Sequence, residues 1–319
     1  MKYVILADSK NTCHFETPRQ LTEINGEPLV KRTIRLLKEN GVKEILVTSH
    51  DKRFENLGAK RYEPLNNYYE HSPIDFHYNK GYWLNGFPEE LLTEPICFIF
   101  GDVYFSENAI KTIVETPTDT TLFFCTYQNN DKRYIKHHDE PLAYKVNDVE
   151  LFKEGIRKTK ELKDQDVCCR EPVVWELYRV INGIWVNEHK LTTNYVAIND
   201  ESCDIDTVGD IKKLKIKLGE IKMITVEALQ DFSLRDFNKV EELERKGKSK
   251  DGFIFKGDTF KCDENLCEYL CGKNPLNKTV VQVIEIQPKK EEVKEETKVE
   301  IKEEIIKPKK PTKKKSSKK

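Results

Sequence analysis

Short apolar runs punctuate the first two-thirds of the chain, and amphipathic stretches lie between them. Residues 2–7 (Lys-Tyr-Val-Ile-Leu-Ala), 44–48, 96–100 (Ile-Cys-Phe-Ile-Phe), 121–126, 142–146 and 195–198 are each a few residues long and rich in β-branched or aromatic side chains. Runs that are apolar on both faces predict strands buried inside a parallel sheet. Helical periodicity fills the gaps. Pro28 opens a helix in which Leu29, Ile34, Leu36 and Leu37 alternate with Lys31, Arg32, Arg35 and Lys38, and Asn40-Gly41 closes it. Further helices are predicted over 106–115, 149–162, 173–181 and 211–218. Strand, loop, helix and strand in that order make a βαβ unit, and the fold class is α/β. The segment 50–82 is polar and aromatic, with only a short strand at 59–62, followed by a turn at 83–86 and a short helix at 87–92.

A composition shift at 219–222 marks a boundary. Residues 1–221 form the first domain, and residues 222–288 read as a small α+β module with its own pattern. That pattern is a strand at 224–226, a helix at 234–245 and a strand at 252–260 broken at Gly257-Asp258. A helix at 263–271 stopped by Gly272 and a strand at 279–286 complete it. From Lys289 onward the chain holds 13 Lys and 7 Glu with few apolar residues. Such a segment cannot bury enough apolar area to offset the entropy of ordering, so 289–319 is expected to be disordered.

Overall charge is nearly balanced, with 54 basic and 55 acidic residues, which argues against a nucleic-acid binder. No apolar run approaches the ~20 residues of a membrane span. The first residues lack the form of a secretory signal. The nine cysteines have no regular spacing and read as reduced thiols of a cytoplasmic protein. Cys262, Cys267 and Cys271 fit no paired C-x-x-C spacing and have no nearby His, so they do not read as zinc ligands.

Candidate chemistry gathers at strand ends. Asp102 follows Gly101 at the carboxyl end of the 96–100 strand, where open α/β sheets bind ligands; it could equally cap the turn before the next helix. The loop 8–17 follows the first strand, where backbone amides can cradle phosphate, and Arg19 is a fixed cation just beyond it. Asp204 and Asp206 share one side of an extended segment by period two. Thr207 and Asp210 would then cap the next helix. Carboxylates from two strand ends make an oxygen-rich Mg²⁺ site once a substrate phosphate completes the shell.

Taken in order, Leu6-Ala7, Pro18-Arg19-Gln20-Leu21 and Ile24-Asn25-Gly26-Glu27-Pro28-Leu29 resemble the opening of sugar-nucleotide and related nucleotidyltransferases. Phe100-Gly101-Asp102 and Asp204-Ile205-Asp206-Thr207 resemble the two metal-binding segments of that family. The resemblance spans about residues 1–217 and is nearest the branch with small phosphorylated acceptors, such as choline-phosphate cytidylyltransferases. It implies a doubly wound, mostly parallel α/β sheet of the nucleotide-diphospho-sugar transferase (GT-A) type. It also implies an NTP lying over Leu6, Ala7, Asp8 and Ser9, and Mg²⁺ held by Asp102 and Asp206. Within that frame Lys10 and Arg19 face phosphates as the catalytic cations, and Asn85 and Gly86 contact the base. Lys145, Trp175 and Glu176 line the acceptor. The chain departs from the family in its first loop: Asp8-Ser9-Lys10-Asn11-Thr12 has no glycine, and Thr12 and Arg19 stand where an Arg and a Lys are expected.

The resulting expectation is a Mg²⁺-dependent transfer of NMP from an NTP to a sugar phosphate or phosphocholine-like acceptor. Two other readings stand beside it: a catalytically silent nucleotide-fold protein acting as a binding or assembly module, and a glycosyltransferase on the same fold. Residues 222–288 resemble small appendage domains on proteins of Gram-positive bacteria and their phages, and offer a surface for a protein partner. Truncation after Pro288 is expected to move the thermal midpoint by less than about 2 °C. A fall of many degrees in a melting experiment would mean that the tail docks on the folded part.

Overall fold

The computed structural model describes residues 1–8, 15, 17–65, 84, 86–126, 140–170, 172–234, 253–274 and 276–284. The expected helix over 234–245 and the expected disordered tail lie outside these residues. By its internal contacts the chain divides into two units, one of Met1–Met223 with Asp263–Asn265, the other starting at Ile224.

The first unit is built on a seven-stranded sheet. In chain order its elements begin with β1 (Lys2–Leu6), a 3-10 turn at Arg19–Leu21 and a two-residue hairpin of β2 (Glu23–Ile24) and β3 (Glu27–Pro28). Helix α1 (Leu29–Glu39), β4 (Ile45–Thr48) and β5 (Lys60–Tyr62) follow, then β6 (Ile96–Phe100), β7 (Val103–Tyr104) and α2 (Glu107–Glu115). The rest is β8 (Thr121–Cys125), β9 (Pro141–Val146), α3 (Val149–Asp164), α4 (Val174–Ile181), β10 (Tyr195–Ala197), β11 (Cys203–Asp204) and α5 (Val208–Lys217). The strand order is β10-β8-β9-β6-β1-β4-β5. All pairings are parallel except the two made by β9, which runs against β6 and β8. The mostly parallel sheet expected from the apolar runs is therefore present, with one reversed strand that those runs did not reveal.

Helices cover both faces, because neighbours on β9 point opposite ways. Tyr144 donates its hydroxyl to the Val174 carbonyl at the start of α4 (2.6 Å), whereas Lys145 reaches the carboxyl end of α2. On the Tyr144 face, Phe87, Phe98, Phe123, Phe152 and Tyr144 form a ring cluster with centroid separations of 4.6–6.0 Å. Rings in such offset and edge-to-face contacts add to the free energy of their burial. All five β6 residues are buried, as a central strand between two helical layers must be.

Local signals explain the connections. Asn25 and Gly26 both have positive φ (52° and 72°), which is what a tight hairpin turn needs. Ser106 caps α2 through the Ala109 amide, and Asp148 caps α3 through the Leu151 amide. Helix α5 starts at Val208, three residues earlier than the periodicity indicates, because Thr207 and Asp210 form a reciprocal capping box.

The second unit has a three-stranded sheet ordered β15-β12-β16, from β12 (Met223–Ala228), β15 (Thr259–Asp263) and β16 (Val281–Val283), and a hairpin of β13 (Phe232–Ser233) with β14 (Phe253–Ile254). Helix α6 (Glu264–Leu270) supplies Leu266, Cys267 and Leu270 to a separate core with Val226, Leu234, Ile254 and Val281. The break expected at Gly257-Asp258 separates β14 from β15, and Gly257 (φ 86°) turns the chain there.

One glycine sets how closely the central strands approach. The Gly101 amide donates to the Leu6 carbonyl (2.9 Å), and a Cβ at position 101 would lie 2.6 Å from that oxygen. Gly101→Ala should therefore push β6 off the end of β1 and cost about 1–3 kcal/mol, read by urea unfolding. An unchanged midpoint would show that the two strand ends have slack.

Candidate active site

The chain runs from β1 through α1 to β4 on one side of β1, while β6 lies on the other side. The carboxyl ends of β1 and β6 are thus the point where strand order reverses, the position at which open α/β sheets form a crevice. Asp102 stands there, one residue past Gly101. The chain then forms β7, which pairs antiparallel with β11, and the Ile205 amide donates to the Asp102 carbonyl (3.0 Å). Ile205 is fully buried in a small cluster with Ile24, Leu29, Tyr104 and Leu214. Anchoring Ile205 on one side turns Asp204 and Asp206 to the other.

Arg19 meets this group from the 3-10 turn after Pro18. Its Nη2 lies 2.5 Å from Asp102 Oδ2, and its Nη1 donates to Asp206 Oδ1. One guanidinium therefore spans two carboxylates from different segments. The Arg19 and Asp102 side chains are both only 14% exposed, whereas Asp206 is 64% exposed. Arg19 Nε is buried and has no hydrogen-bond partner among the described residues.

The electrostatics follow from this crowding. Burial works against the Arg19 charge, but Asp102, Asp204 and Asp206 outweigh it and hold its pKa above the ordinary value. Burial pushes the Asp102 carboxyl up, Arg19 opposes the shift, and the charge of Asp206 adds to it. Burial also drives Asp204 well above the usual carboxylate range, helped by the negative charges of Asp102 and Asp206. The Asp204 carboxylate accepts a local bond from the Ile205 amide (2.8 Å). It is a third acid of the cluster that the sequence shows only as one half of an Asp-x-Asp pair.

The oxygen donors suit a hard cation. A Mg²⁺ ion commonly takes one or two carboxylates and completes its shell with water and substrate phosphate. Asp102 and Asp206 match that donor set, with Arg19 lying between them. Among the described residues, no group of three or more His, Cys, Asp or Glu side chains is arranged as a metal shell.

At the end of β1, Ala7 is buried and its amide donates to the Thr48 carbonyl (3.2 Å). Asp8 is held by a residue to which the sequence pattern does not point: its carboxylate accepts from the His50 amide (2.9 Å) and lies 2.7 Å from His50 Nδ1. This contact joins the ends of β1 and β4 and turns the Asp8 charge toward a partner. No local signal links residues 42 apart. Leu6 ends β1 and is partly buried. Gly86 lies where an added Cβ would meet nothing within 4 Å. Ser9, Lys10 and Asn85 lie outside the described residues.

The three residues expected to line an acceptor are not gathered together. Lys145 is 5% exposed, and its ammonium donates to the carbonyls of Ile113, Val114 and Thr116 (2.9, 2.9 and 2.6 Å). It closes the carboxyl end of α2, which satisfies otherwise unpaired carbonyls, and its charge is fully engaged there. Glu176 is buried on the opposite face of the sheet. Its carboxylate accepts from the Val173 amide, Arg170 Nε and Arg179 Nη1 (2.9, 2.9 and 3.0 Å). Trp175 packs edge-to-face on Phe123, with 5.0 Å between centroids. The expected acceptor role is corrected for Lys145 and Glu176, because both charges are satisfied inside the fold.

No protein-family profile matches the chain, and no curated protein does. Among solved structures, it is similar to a Bacillus anthracis protein assigned as a glucose-1-phosphate thymidylyltransferase, at 15% identity over 69% of this chain and 96% of that one, with a TM-score of 0.44. It is similar to a CTP:phosphocholine cytidylyltransferase from Streptococcus pneumoniae, at 18% identity over 68% and 98% of the two chains, with a TM-score of 0.37. HddC from Yersinia pseudotuberculosis is matched at 16% identity over 68% and 99%, with a TM-score of 0.34. Among the described residues no helix is long and apolar enough to cross a membrane.

Lys145→Met should lower stability by about 1–3 kcal/mol, because a charged donor to three carbonyls is lost. Urea unfolding measures the loss, and binding of nucleotides by the full chain should not change. A variant as stable as wild type but defective in ligand binding would return Lys145 to the site.

Proposed function

We propose that the protein is a Mg²⁺-dependent nucleotidyltransferase. It moves an NMP group from an NTP to a small phosphorylated acceptor, a sugar phosphate or a phosphocholine-like compound, and releases pyrophosphate. The observation that carries this reading is the convergence of Asp102 and Asp206 on one cation at the β1–β6 reversal point. The motifs around Arg19, Asp102 and Asp206, read in order, support it.

In the reaction an acceptor phosphate oxygen forms a bond to the α-phosphorus, and the bond from that phosphorus to the bridging oxygen of pyrophosphate breaks. The acceptor oxygen is already anionic, so no strong general base is required. Catalysis is positioning and charge neutralisation. Asp102 and Asp206 are the residues that would hold the metal, which when bound neutralises phosphate charge and orients the triphosphate. Arg19 supplies a cation beside the phosphates. The buried ends of β1 and β6, locked through Gly101, fix where the carboxylates stand. Ala7 and the Asp8–His50 pair form the floor over which the nucleotide lies.

One observation favours the silent nucleotide-fold reading: Arg19 already pairs with both carboxylates. Pyrophosphate release across a matrix of four NTPs and a panel of sugar phosphates and phosphocholine distinguishes the two. Wild type should turn over with at least one pair, and Asp102→Asn and Asp206→Asn should each lose about 100-fold or more while remaining folded. No NTP consumed or bound in any arm would leave the silent reading.

A further inference from the structure

We propose that Arg19 is a tethered counter-cation that competes with a divalent metal for Asp102 and Asp206, so that metal entry frees its guanidinium for the nucleotide phosphates. This rests on the reading of Asp102 and Asp206 as the metal carboxylates, and concerns how the chain holds those groups before metal and nucleotide arrive.

The geometry leads there directly. Nη2 of Arg19 takes Asp102 and Nη1 takes Asp206. A planar fork with two arms can bridge two carboxylates, which a lysine ammonium does less well. A hard dication would need oxygens from the same two groups. A dication on the same two carboxylates would stand close to the guanidinium, and beside the buried Asp102 their repulsion is poorly screened. Occupancy by one therefore opposes occupancy by the other.

Two further features fit a cation that leaves rather than a fixed strut. Asp206 is largely exposed, so one end of the bridge faces water, where ion pairs are weak. Among the described residues Arg19 Nε has no partner, so none of them adds a third bond to the guanidinium. Asp102, by contrast, is mostly buried and needs a cation at all times. Arg19 provides it in the metal-free protein. By thermodynamic reciprocity, the factor by which the Arg19 bridge weakens metal binding is the factor by which bound metal weakens the bridge.

The test is a Mn²⁺ titration of the full chain, followed by the paramagnetic signal of free Mn²⁺, with and without each of the four NTPs. Wild type, Arg19→Gln, Arg19→Lys and Arg19→Gln with Asp102→Asn are compared, and a thermal melt checks that each is folded. Without nucleotide, Arg19→Gln should bind Mn²⁺ about tenfold or more tighter than wild type. Arg19→Lys should fall between them, and the double variant should lose the gain. Wild type should bind Mn²⁺ tightly only with an NTP. If folded Arg19→Gln binds Mn²⁺ no better than wild type while wild type binds it with an NTP, competition is overturned and the metal reading stands. If no variant binds Mn²⁺ under any condition, the metal reading falls and this inference with it. Should Arg19→Gln fail to fold, Arg19→Lys decides alone: a gain supports the competition and equal affinity rejects it.

Discussion

A carboxylate placed at the buried end of a central strand must have a cation, and the first unit is arranged to meet that demand at Asp102. Desolvation raises its pKa, and the charge of Arg19 is the strongest influence opposing that rise. Arg19 reaches it because the hairpin of β2 and β3 and the small cluster around Ile24, Leu29, Tyr104 and Ile205 are packed beneath. The β7–β11 ladder brings Asp206 to the other arm of the same guanidinium. Remove Arg19, and Asp102 and Asp206 lose the guanidinium that bridges them.

That arrangement has a chemical consequence. A group of acids that is costly to hold without a cation has a high affinity for cations, and an anionic nucleotide can approach only once they are neutralised. In the proposed reaction metal and Arg19 would share the neutralisation, one offsetting the carboxylates and the other left for phosphate. The closely held ends of β1 and β6 limit how far the site can relax, so its charges are set before ligand arrives, which is where electrostatic catalysis obtains its advantage.

Much of this was legible in the sequence, for reasons of range. The β6 strand and its terminal Gly-Asp show in a run apolar on both faces, and the α5 start shows in the Thr207 and Asp210 spacing, because both are local patterns. Arg19 and Asp102 could be named as a cation and an anion at strand ends. Their meeting, across 83 positions, could not be read, nor could that of Arg19 with Asp206, because nothing local records it. The reversed direction of β9 was hidden for the same reason: a buried strand has the same apolar run either way. Lys145 and Glu176 misled because a buried charge satisfied by carbonyls or by arginines looks, in sequence, like a charge awaiting a substrate. The partner of Asp8, His50, was hidden for the same reason of range.

The central claim is that Asp102 and Asp206 form a metal–nucleotide site in which Arg19 stands until the metal comes. A crystal grown with Mn²⁺ and a non-hydrolysable NTP, probed by anomalous scattering, tests it most directly. The account predicts one peak between the two carboxylates, within about 2.0–2.3 Å of an oxygen from each, with Arg19 turned from both and its guanidinium against phosphate. A nucleotide bound elsewhere, or a map with Arg19 still bridging Asp102 and Asp206 and no peak beside them, would contradict it.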